Sequence, residues 1–483
     1  MKDTTGYVEN RQLRLDEGYL REGRREALDN AKAYSNPAMS EKEGDGTRVG
    51  EGRYNSGTLD SGEEDLLERI LSPDNLNEAY KRVKRNKGSH GVDGMTVQDL
   101  AAYLAIHGGE LRQSILTGKY KPKPVRRVEI PKPDGGVRLL GIPTVVDRVI
   151  QQATAQVLTP IYEKKFSNSS YGFRPRRSAQ QAIEQSRKYI NDGYTWTVDI
   201  DLEKYFDTVN HDKLMRLISN DIKDGRVISL IRKFLVSGVM INGVKMETEE
   251  GTPQGGNISP LLSNIMLHEL DCELERRGLV FCRYADDCNI YVKSRKAAER
   301  VMKSITRFIE EDLKLKVNQK KSSVDRPWKL KFLGFSFYYN AEKVKYCIRV
   351  HPKSIAKFKA KLKQLTGKSN GMSMDWRLIK LKQAIQGWVN YFGIADMKTL
   401  AKTLDEWLRR RIRMVIWKTW KRIRTRSRNL QKLGMDKQKA WKFANTRKGY
   451  WRTAKSLFLH RTLTNQILEK RGLVSISAIY SKC

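Results

Sequence analysis

The sequence predicts an α+β fold followed by an all-helical region and a small basic tail, and three observations carry that reading. Leu279-Val280-Phe281 and Ile290-Tyr291-Val292, two short runs rich in β-branched and aromatic residues, flank the polar stretch Arg283-Tyr284-Ala285-Asp286-Asp287-Cys288. That is the pattern of a β-hairpin with adjacent carboxylates at its turn. In Thr195-Trp196-Thr197-Val198-Asp199-Ile200-Asp201, alternation puts Trp196, Val198 and Ile200 on one face of a strand and Asp199 and Asp201 on the other. Beyond His351-Pro352 the apolar spacing becomes helical, first in Ile355, Phe358, Leu362 and Leu365, then in Leu381, Ile385, Trp388, Val389 and Phe392. A third set, Leu400, Leu404, Trp407, Leu408 and Ile412, completes three amphipathic helices with short links, the signature of a bundle.

Length and charge bound the function. At 483 residues the chain is long enough for several domains, each able to bury a core. A formal net charge of +37 exceeds what solubility requires and predicts a polyanionic partner, nucleic acid before a membrane surface. No apolar run is long enough to span a bilayer and no secretory segment follows Met1, so no membrane association is expected. Cys272, Cys282, Cys288, Cys347 and Cys483 form no Cys-x-x-Cys pair, which points to neither a zinc site nor a disulfide framework and fits a reducing, cytoplasmic setting.

Taken in order, residues 1–62 are charged and poor in large apolar residues and read as a weakly ordered extension. Helical spacing starts with Leu66, Leu67, Ile70 and Leu71. Asn75 to Gly94 reads as a basic helix ending in a Gly-rich turn and carries Lys81, Arg82, Lys84, Arg85 and Lys87. Prolines keep Tyr120–Pro133 extended, and Asp134-Gly135-Gly136 turns a hairpin whose arms carry Lys132 and Arg138, either surface charges or a pair of cations for a triphosphate. Tyr171-Gly172-Phe173-Arg174-Pro175-Arg176-Arg177 is a basic, aromatic loop of the kind that tracks a nucleic-acid strand. His211, after Asn210, reads as a helix-entry residue, and Ser259-Pro260 as an N-cap followed by Pro at the first helical position. The glycines of Gly251-Thr252-Pro253-Gln254-Gly255-Gly256 let backbone approach a nucleotide closely.

Adjacent aspartates disfavour each other's ionisation unless a cation lies between them, and a hard cation such as Mg2+ relieves that cost. An acidic turn is the plain alternative for Asp286-Asp287. A carboxylate from the Asp199–Asp201 strand meeting the hairpin tip would complete a cage for two metal ions, as phosphoryl transfer uses.

At these residues the chain resembles the reverse transcriptases encoded by bacterial group II introns, the intron maturases, of the type lacking an endonuclease domain. Tyr284-Ala285-Asp286-Asp287, Asp201-Leu202-Glu203-Lys204-Tyr205-Phe206-Asp207 and Gly251–Gly256 look like that family's polymerase blocks, in its order, and the resemblance covers roughly Leu66 to Lys470. It implies a right-hand polymerase: an N-terminal fingers extension at 63–119, fingers and palm at 120–345, a helical thumb, or maturase X domain, at 350–433, and a basic nucleic-acid-binding tail at 434–483. The implied function is RNA-directed DNA synthesis joined to binding of the intron RNA for splicing and mobility. Its implied partners are the intron RNA, an RNA template with a DNA primer, target DNA and dNTPs, with two Mg2+ ions as cofactor.

The same resemblance implies roles for individual residues. Asp201, Asp286 and Asp287 become the catalytic metal ligands. Asp201 is preferred to Asp199 because the family's metal-binding Asp precedes an aromatic by five residues, and Phe206 stands there. Phe206 would clash with a ribose 2′-OH and select deoxynucleotides. Lys132, Arg138, Gln254 and Lys321 join it at the dNTP, with Lys320 the alternative to Lys321. Lys81, Arg82, Arg85, Arg174, Arg409, Arg410, Arg413 and Arg424 are expected to bind RNA. From Ala401 onward 23 Lys and Arg stand against 4 Asp and Glu, an imbalance that a solvated face of mixed sign would not show. The tail has no paired cysteines and no His-rich motif of the endonuclease domain that some relatives carry, so second-strand cutting is not expected. Rival readings are an RNA-dependent RNA polymerase, which would not be expected to have an aromatic at Phe206, a splicing factor with a vestigial polymerase site, and a retron or defence reverse transcriptase.

Overall fold

The alternating and apolar runs become ten strands in the structure, a computed structural model that describes residues 65–131, 135–241, 244–247, 250–252 and 255–483. They are β1 (Val125–Pro131), β2 (Val137–Ile142), β3 (Trp196–Ile200), β4 (Val239–Ile241), β5 (Val244–Met246), β6 (Val280–Tyr284), β7 (Asp287–Val292), β8 (Ser323–Asp325), β9 (Phe335–Asn340) and β10 (Lys345–Val350). The expected extension at 1–62, Lys132 and Gln254 lie outside the described residues.

The described chain forms two compact units, one holding the residues up to Ala182 and Trp196–Val324, the other Ile183–Thr195 and Asp325–Cys483. In the first, β6 and β7 pair antiparallel with Tyr284 opposite Asp287, leaving Ala285-Asp286 as a two-residue tip. The free edge of β7 pairs antiparallel with β3, Ile200 opposite Cys288, in a sheet of order β6-β7-β3-β8. That register is what sends Asp201, the residue after β3, out beside the hairpin tip.

The sheet is held by burial. The Ser259–Arg276 helix packs on β6 and the Arg295–Glu311 helix on β3 and β7. Val198, Ile200, Met266, Ile290 and Ile305 share one core there with Val149, Ile150 and Leu158 of the Val145–Glu163 helix. Each such side chain contributes about 1.5–3 kcal/mol on removal from water. The Ser259–Arg276 helix starts at Ser259 with Pro260 in its first turn; Ser259 itself lies inside the helix, and no side chain caps the end. A second sheet, β2-β1-β4-β5, carries the β1–β2 hairpin, in which Arg138 stands opposite Ile130.

The other unit is mostly helical. The expected helices appear as Pro352–Leu365, Met374–Phe392 and Lys398–Thr419. Trp420, buried, leaves helical geometry, and Arg426 Nε donates to its carbonyl at 2.9 Å, so the basic run past Thr419 continues in a separate helix, Ile423–Lys432. The chain's end belongs to this same unit. The Asp405 carboxylate, buried on the Lys398–Thr419 helix, accepts hydrogen bonds from the Ser475 hydroxyl and from the amides of Ile476 and Ser477 at 2.8, 2.8 and 3.0 Å. Among the described residues no helix is long and apolar enough to cross a membrane.

Candidate active site

A two-residue hairpin tip requires backbone at positive φ, which L-residues other than Gly adopt at a cost of about 1–2 kcal/mol. Here Ala285 takes it, at φ 57°. The tip is fixed from below by Arg283, which is fully buried: Nε and Nη2 donate to the Asp271 carboxylate at 2.6 and 2.5 Å, and Nη1 donates to the Ala285 carbonyl at 3.0 Å and to Asn264 Oδ1 at 3.1 Å. Asn264 Nδ2 in turn donates to the Gly172 carbonyl at 2.8 Å. Gly172 has to be glycine, because a Cβ there would lie 2.2 Å from the Ala285 nitrogen. A buried ion pair is tolerable only when its donors find acceptors, and here each guanidinium nitrogen donates at least one hydrogen bond.

Two carboxylates meet above this frame. The Asp201 backbone is pinned on both sides, its carbonyl accepting from the Asn318 amide at 2.8 Å and its amide donating to Ser322 Oγ at 3.0 Å. Burial raises the pKa of Asp286 and the Asp201 charge raises it further, while its own backbone amide, Arg138 and Arg283 oppose the rise. Asp201 and Asp286 therefore feel each other, and Arg138 of β2 lies within electrostatic reach of the same tip. Lys321 Nζ stands 3.9 Å from Asp201 Oδ2, which favours Lys321 over its neighbour Lys320. Asp287 is exposed at the start of β7. Asp199 faces Asn289 across the strand pair, and burial, with the Asp201 charge added, pushes it up to about 7.

Among the described residues no group of three or more His, Cys, Asp or Glu could hold a metal ion by itself. The chemistry still fits a divalent ion. Mg2+ in phosphoryl-transfer sites is commonly held by one or two carboxylates, with substrate phosphates and water supplying the other oxygens. A cation would relieve the mutual destabilisation of Asp201 and Asp286.

Phe206 follows on the four-residue helix Tyr205–Thr208, half-buried and packed edge-on against Tyr205, with ring centroids 5.2 Å apart. The hydroxyl of buried Tyr205 donates to the Ser263 carbonyl at 3.0 Å, so the helix is rooted in the core. Thus Arg138, Phe206 and Lys321 belong to the unit that holds the carboxylates, Arg138 and Lys321 within electrostatic reach of them.

The expected RNA-binding residues divide. Lys81, Arg82 and Arg85 are exposed on the Pro73–Asn86 helix, Lys81 paired with Glu78 at 2.8 Å. Arg424 is exposed and Arg409 half-buried. Arg410 lies 3.8 Å over the Trp451 ring and donates to the Trp451 carbonyl at 3.1 Å. Two arginines are internal struts, contrary to expectation. Arg413 is 3% exposed, with Nε donating to the Leu463 carbonyl at 2.9 Å and Nη2 to Asn465 at 3.0 Å. Arg174, also buried, pairs with Glu163 at 3.0 Å and donates to the Ser170 carbonyl at 2.9 Å. Sequence reasoning also passed over Arg283, Asp271 and Asn264. The available signal was an Arg inside an apolar strand and an Asp between Leu270 and Leu274 on an apolar helix face, opposite charges that must find each other if both are buried.

Residues 130–337 match the family described as reverse transcriptase (RNA-dependent DNA polymerase), and residues 355–434 match the group II intron, maturase-specific domain. The chain is 38% identical to Protein YkfC of Escherichia coli K12 over 299 residues, covering 54% of this chain and 78% of that protein. It is 40% identical over 207 residues to the group II intron-encoded protein LtrA of Lactococcus lactis subsp. cremoris, covering 43% of this chain and 34% of LtrA. It is 34% identical over 246 residues to the putative COX1/OXI3 intron 1 protein of Saccharomyces cerevisiae, covering 50% of this chain and 28% of that protein. The matches therefore span most of one relative's length but about a third or less of the two intron-encoded proteins.

Proposed function

This chain belongs to the group II intron-encoded reverse transcriptases that carry a maturase-specific domain, and from that premise we propose that it copies RNA into DNA at Asp201 and the Asp286-Asp287 hairpin while its cationic helical unit holds the parent intron RNA for splicing and mobility. The observation that carries the catalytic half is the strand register that sets Asp201, the residue after Ile200, beside the Ala285-Asp286 tip, with Lys321 Nζ 3.9 Å from Asp201 Oδ2. Asp201, Asp286 and Asp287 would hold two Mg2+ ions, which when bound stabilise the charge on the attacking and leaving oxygens of nucleotidyl transfer. Arg138 offers a planar fork and Lys321 a point charge to the triphosphate, and Lys132 and Gln254 join them by resemblance. Phe206 sets the floor beneath the sugar, where its ring excludes a 2′-OH.

The helical residues 350–433 act as thumb and maturase domain, and 434–483 extend the cationic surface. Exposed Lys81, Arg82, Arg85 and Arg424, with partly exposed Arg409 and Arg410, supply phosphate contacts. Such contacts give affinity that falls steeply with salt, as a folded RNA partner requires.

The test is primer extension on primed RNA with Mg2+ and separate deoxy- and ribonucleotide pools, beside splicing of the cognate intron RNA. DNA product and protein-dependent splicing are expected. Product from ribonucleotides alone would overturn the polymerase assignment.

A further inference from the structure

We propose that His211 is a positioning residue for sugar discrimination: through its bond to Gly251 it fixes the backbone that holds the Phe206 ring. The proposal rests on the reading of Phe206 as the sugar gate. It begins from a weakness in the gate's own scaffold. A single helical turn has no stability of its own, because it fixes several residues for one or two hydrogen bonds. The Tyr205–Thr208 helix is such a turn, entered through Lys204 in left-handed conformation at φ 47°. Its position must be imposed from outside.

Tyr205 roots one side in the core. On the other side the Thr252 amide donates to the Phe206 carbonyl at 2.6 Å, and the Gly251 amide donates to the Val209 carbonyl at 2.8 Å. These bonds keep the Gly251-Thr252 backbone from moving away. Only glycine permits this close pairing: Gly251 has φ 93°, and a Cβ on it would stand 2.9 Å from the Phe206 carbonyl oxygen and 3.0 Å from that of Asp207. The gate and the Gly251-Thr252 backbone therefore shift together or not at all.

His211 decides which. Its Nε2 donates to the Gly251 carbonyl at 2.6 Å, and the ring is buried. The Thr252 hydroxyl, also buried, has no hydrogen-bond partner, so among the described residues His211 is the side chain that anchors this backbone. It stands at the start of the His211–Asp221 helix, which is capped by Asn210 and sunk in the core through Leu214 and Ile218. The line of support thus runs from the core through this helix to His211, Gly251, Thr252 and the carbonyl of Phe206. Exclusion of one oxygen by one ring requires placement to within about 0.5 Å, which a free four-residue turn does not supply.

The experiment compares kcat/KM for a deoxynucleotide and its ribonucleotide counterpart on primed RNA, using the full chain. Phe206→Ala is expected to collapse the deoxy-to-ribo ratio. His211→Ala, which leaves the Gly251 carbonyl buried without a donor, is expected to lower the ratio about tenfold while deoxynucleotide efficiency falls less. His211→Gln, whose amide reaches the same carbonyl, restores the ratio. If His211→Ala fails to fold by circular dichroism, His211→Asn, polar but too short to reach Gly251, replaces it with the same expectation. A ratio unmoved by Phe206→Ala would sink the gate and this proposal with it. A ratio that Phe206→Ala lowers but a folded His211 variant leaves alone overturns the latch and spares the gate.

Discussion

In the sheet unit, like charges are brought together, whereas in the helical unit cations are led apart and into backbone. Asp201 stands beside the hairpin tip that carries Asp286 although each makes ionisation of the other harder, and the frame below them is a buried ion pair, Arg283–Asp271. Across the helical unit Arg377 donates to the carbonyls of Leu365, Gly367 and Met372, and Arg411 to those of Lys363 and Thr366. These are carbonyls at and beyond the end of the Pro352–Leu365 helix, where the last turn leaves acceptors without partners and where cations are favoured. A carboxylate whose pKa stays raised although Arg138 and Arg283 act against the rise points to a ligand. A cation seated on a helix end does not, so a surplus of arginine measures an RNA surface only after such struts are removed from it.

The largest effect should come from the crowded side. Asp201→Ala, Asp286→Ala or Asp287→Ala is expected to lower DNA synthesis by about 10^4-fold or more, since metal-based charge stabilisation is worth several kcal/mol. Intron binding and splicing should stay near normal, because they depend on many phosphate contacts elsewhere. Parallel primer-extension and splicing assays check this. Lost splicing in a folded Asp286→Ala protein would erase the distinction between the two regions.

Next comes the frame. Asp271→Asn leaves the Arg283 guanidinium buried without its counter-charge, and about 3–5 kcal/mol of stability should go with it. Chemical denaturation gives that number directly. A loss below about 1 kcal/mol would mean that water reaches Arg283 and that the tip is held by backbone alone.

Within the helical unit, Arg413 and Arg424 make the comparison sharper. Arg413→Gln should cost about 1–3 kcal/mol, because the Leu463 carbonyl loses its donor inside the protein. Arg424→Gln should leave stability unchanged and flatten the salt dependence of RNA affinity by about one unit of slope. Melting curves and a binding series across salt separate the two. The reverse pattern would make Arg413 the RNA contact.

What sequence could supply follows the same division. The hairpin was legible because its strands, tip and carboxylates fall within fourteen residues, Leu279 to Val292, and because the period of two in Trp196–Ile200 fixes which side the aspartates take. The three apolar stripes after His351 were legible for the same local reason. Arg283, Asn264 and Gly172 were not, since the bonds that join them to one another and to Asp271 span 12 to 92 residues and only the fold brings them together. Arg413 finds its acceptors 50 and 52 residues downstream, and in sequence it looks no different from Arg409 or Arg424. The latch on Gly251 was likewise hidden, because Asn210-His211 is a sufficient helix entry without it.

The smallest effect concerns Asp199, the carboxylate left out of the metal set. Its folded pKa is pushed up to about 7 from an ordinary 3.8 by burial and by Asp201. Between those values the native state holds a proton that the unfolded chain has lost, so stability falls as pH rises from about 4 to about 7. Asp199 is half-buried, which limits the drop to about 1–2 kcal/mol after allowance for solvent screening. In metal-free protein Asp199→Asn should therefore flatten the stability profile across that window and raise stability at neutral pH. Added Mg2+ then distinguishes two roles. If Asp199 is a neighbour of the site and not part of it, the variant retains the Mg2+ dependence of the parent protein in primer extension. A shift of that dependence to much higher Mg2+ would instead make Asp199 a ligand beside Asp201, and would show that the crowding at this tip extends to a third carboxylate.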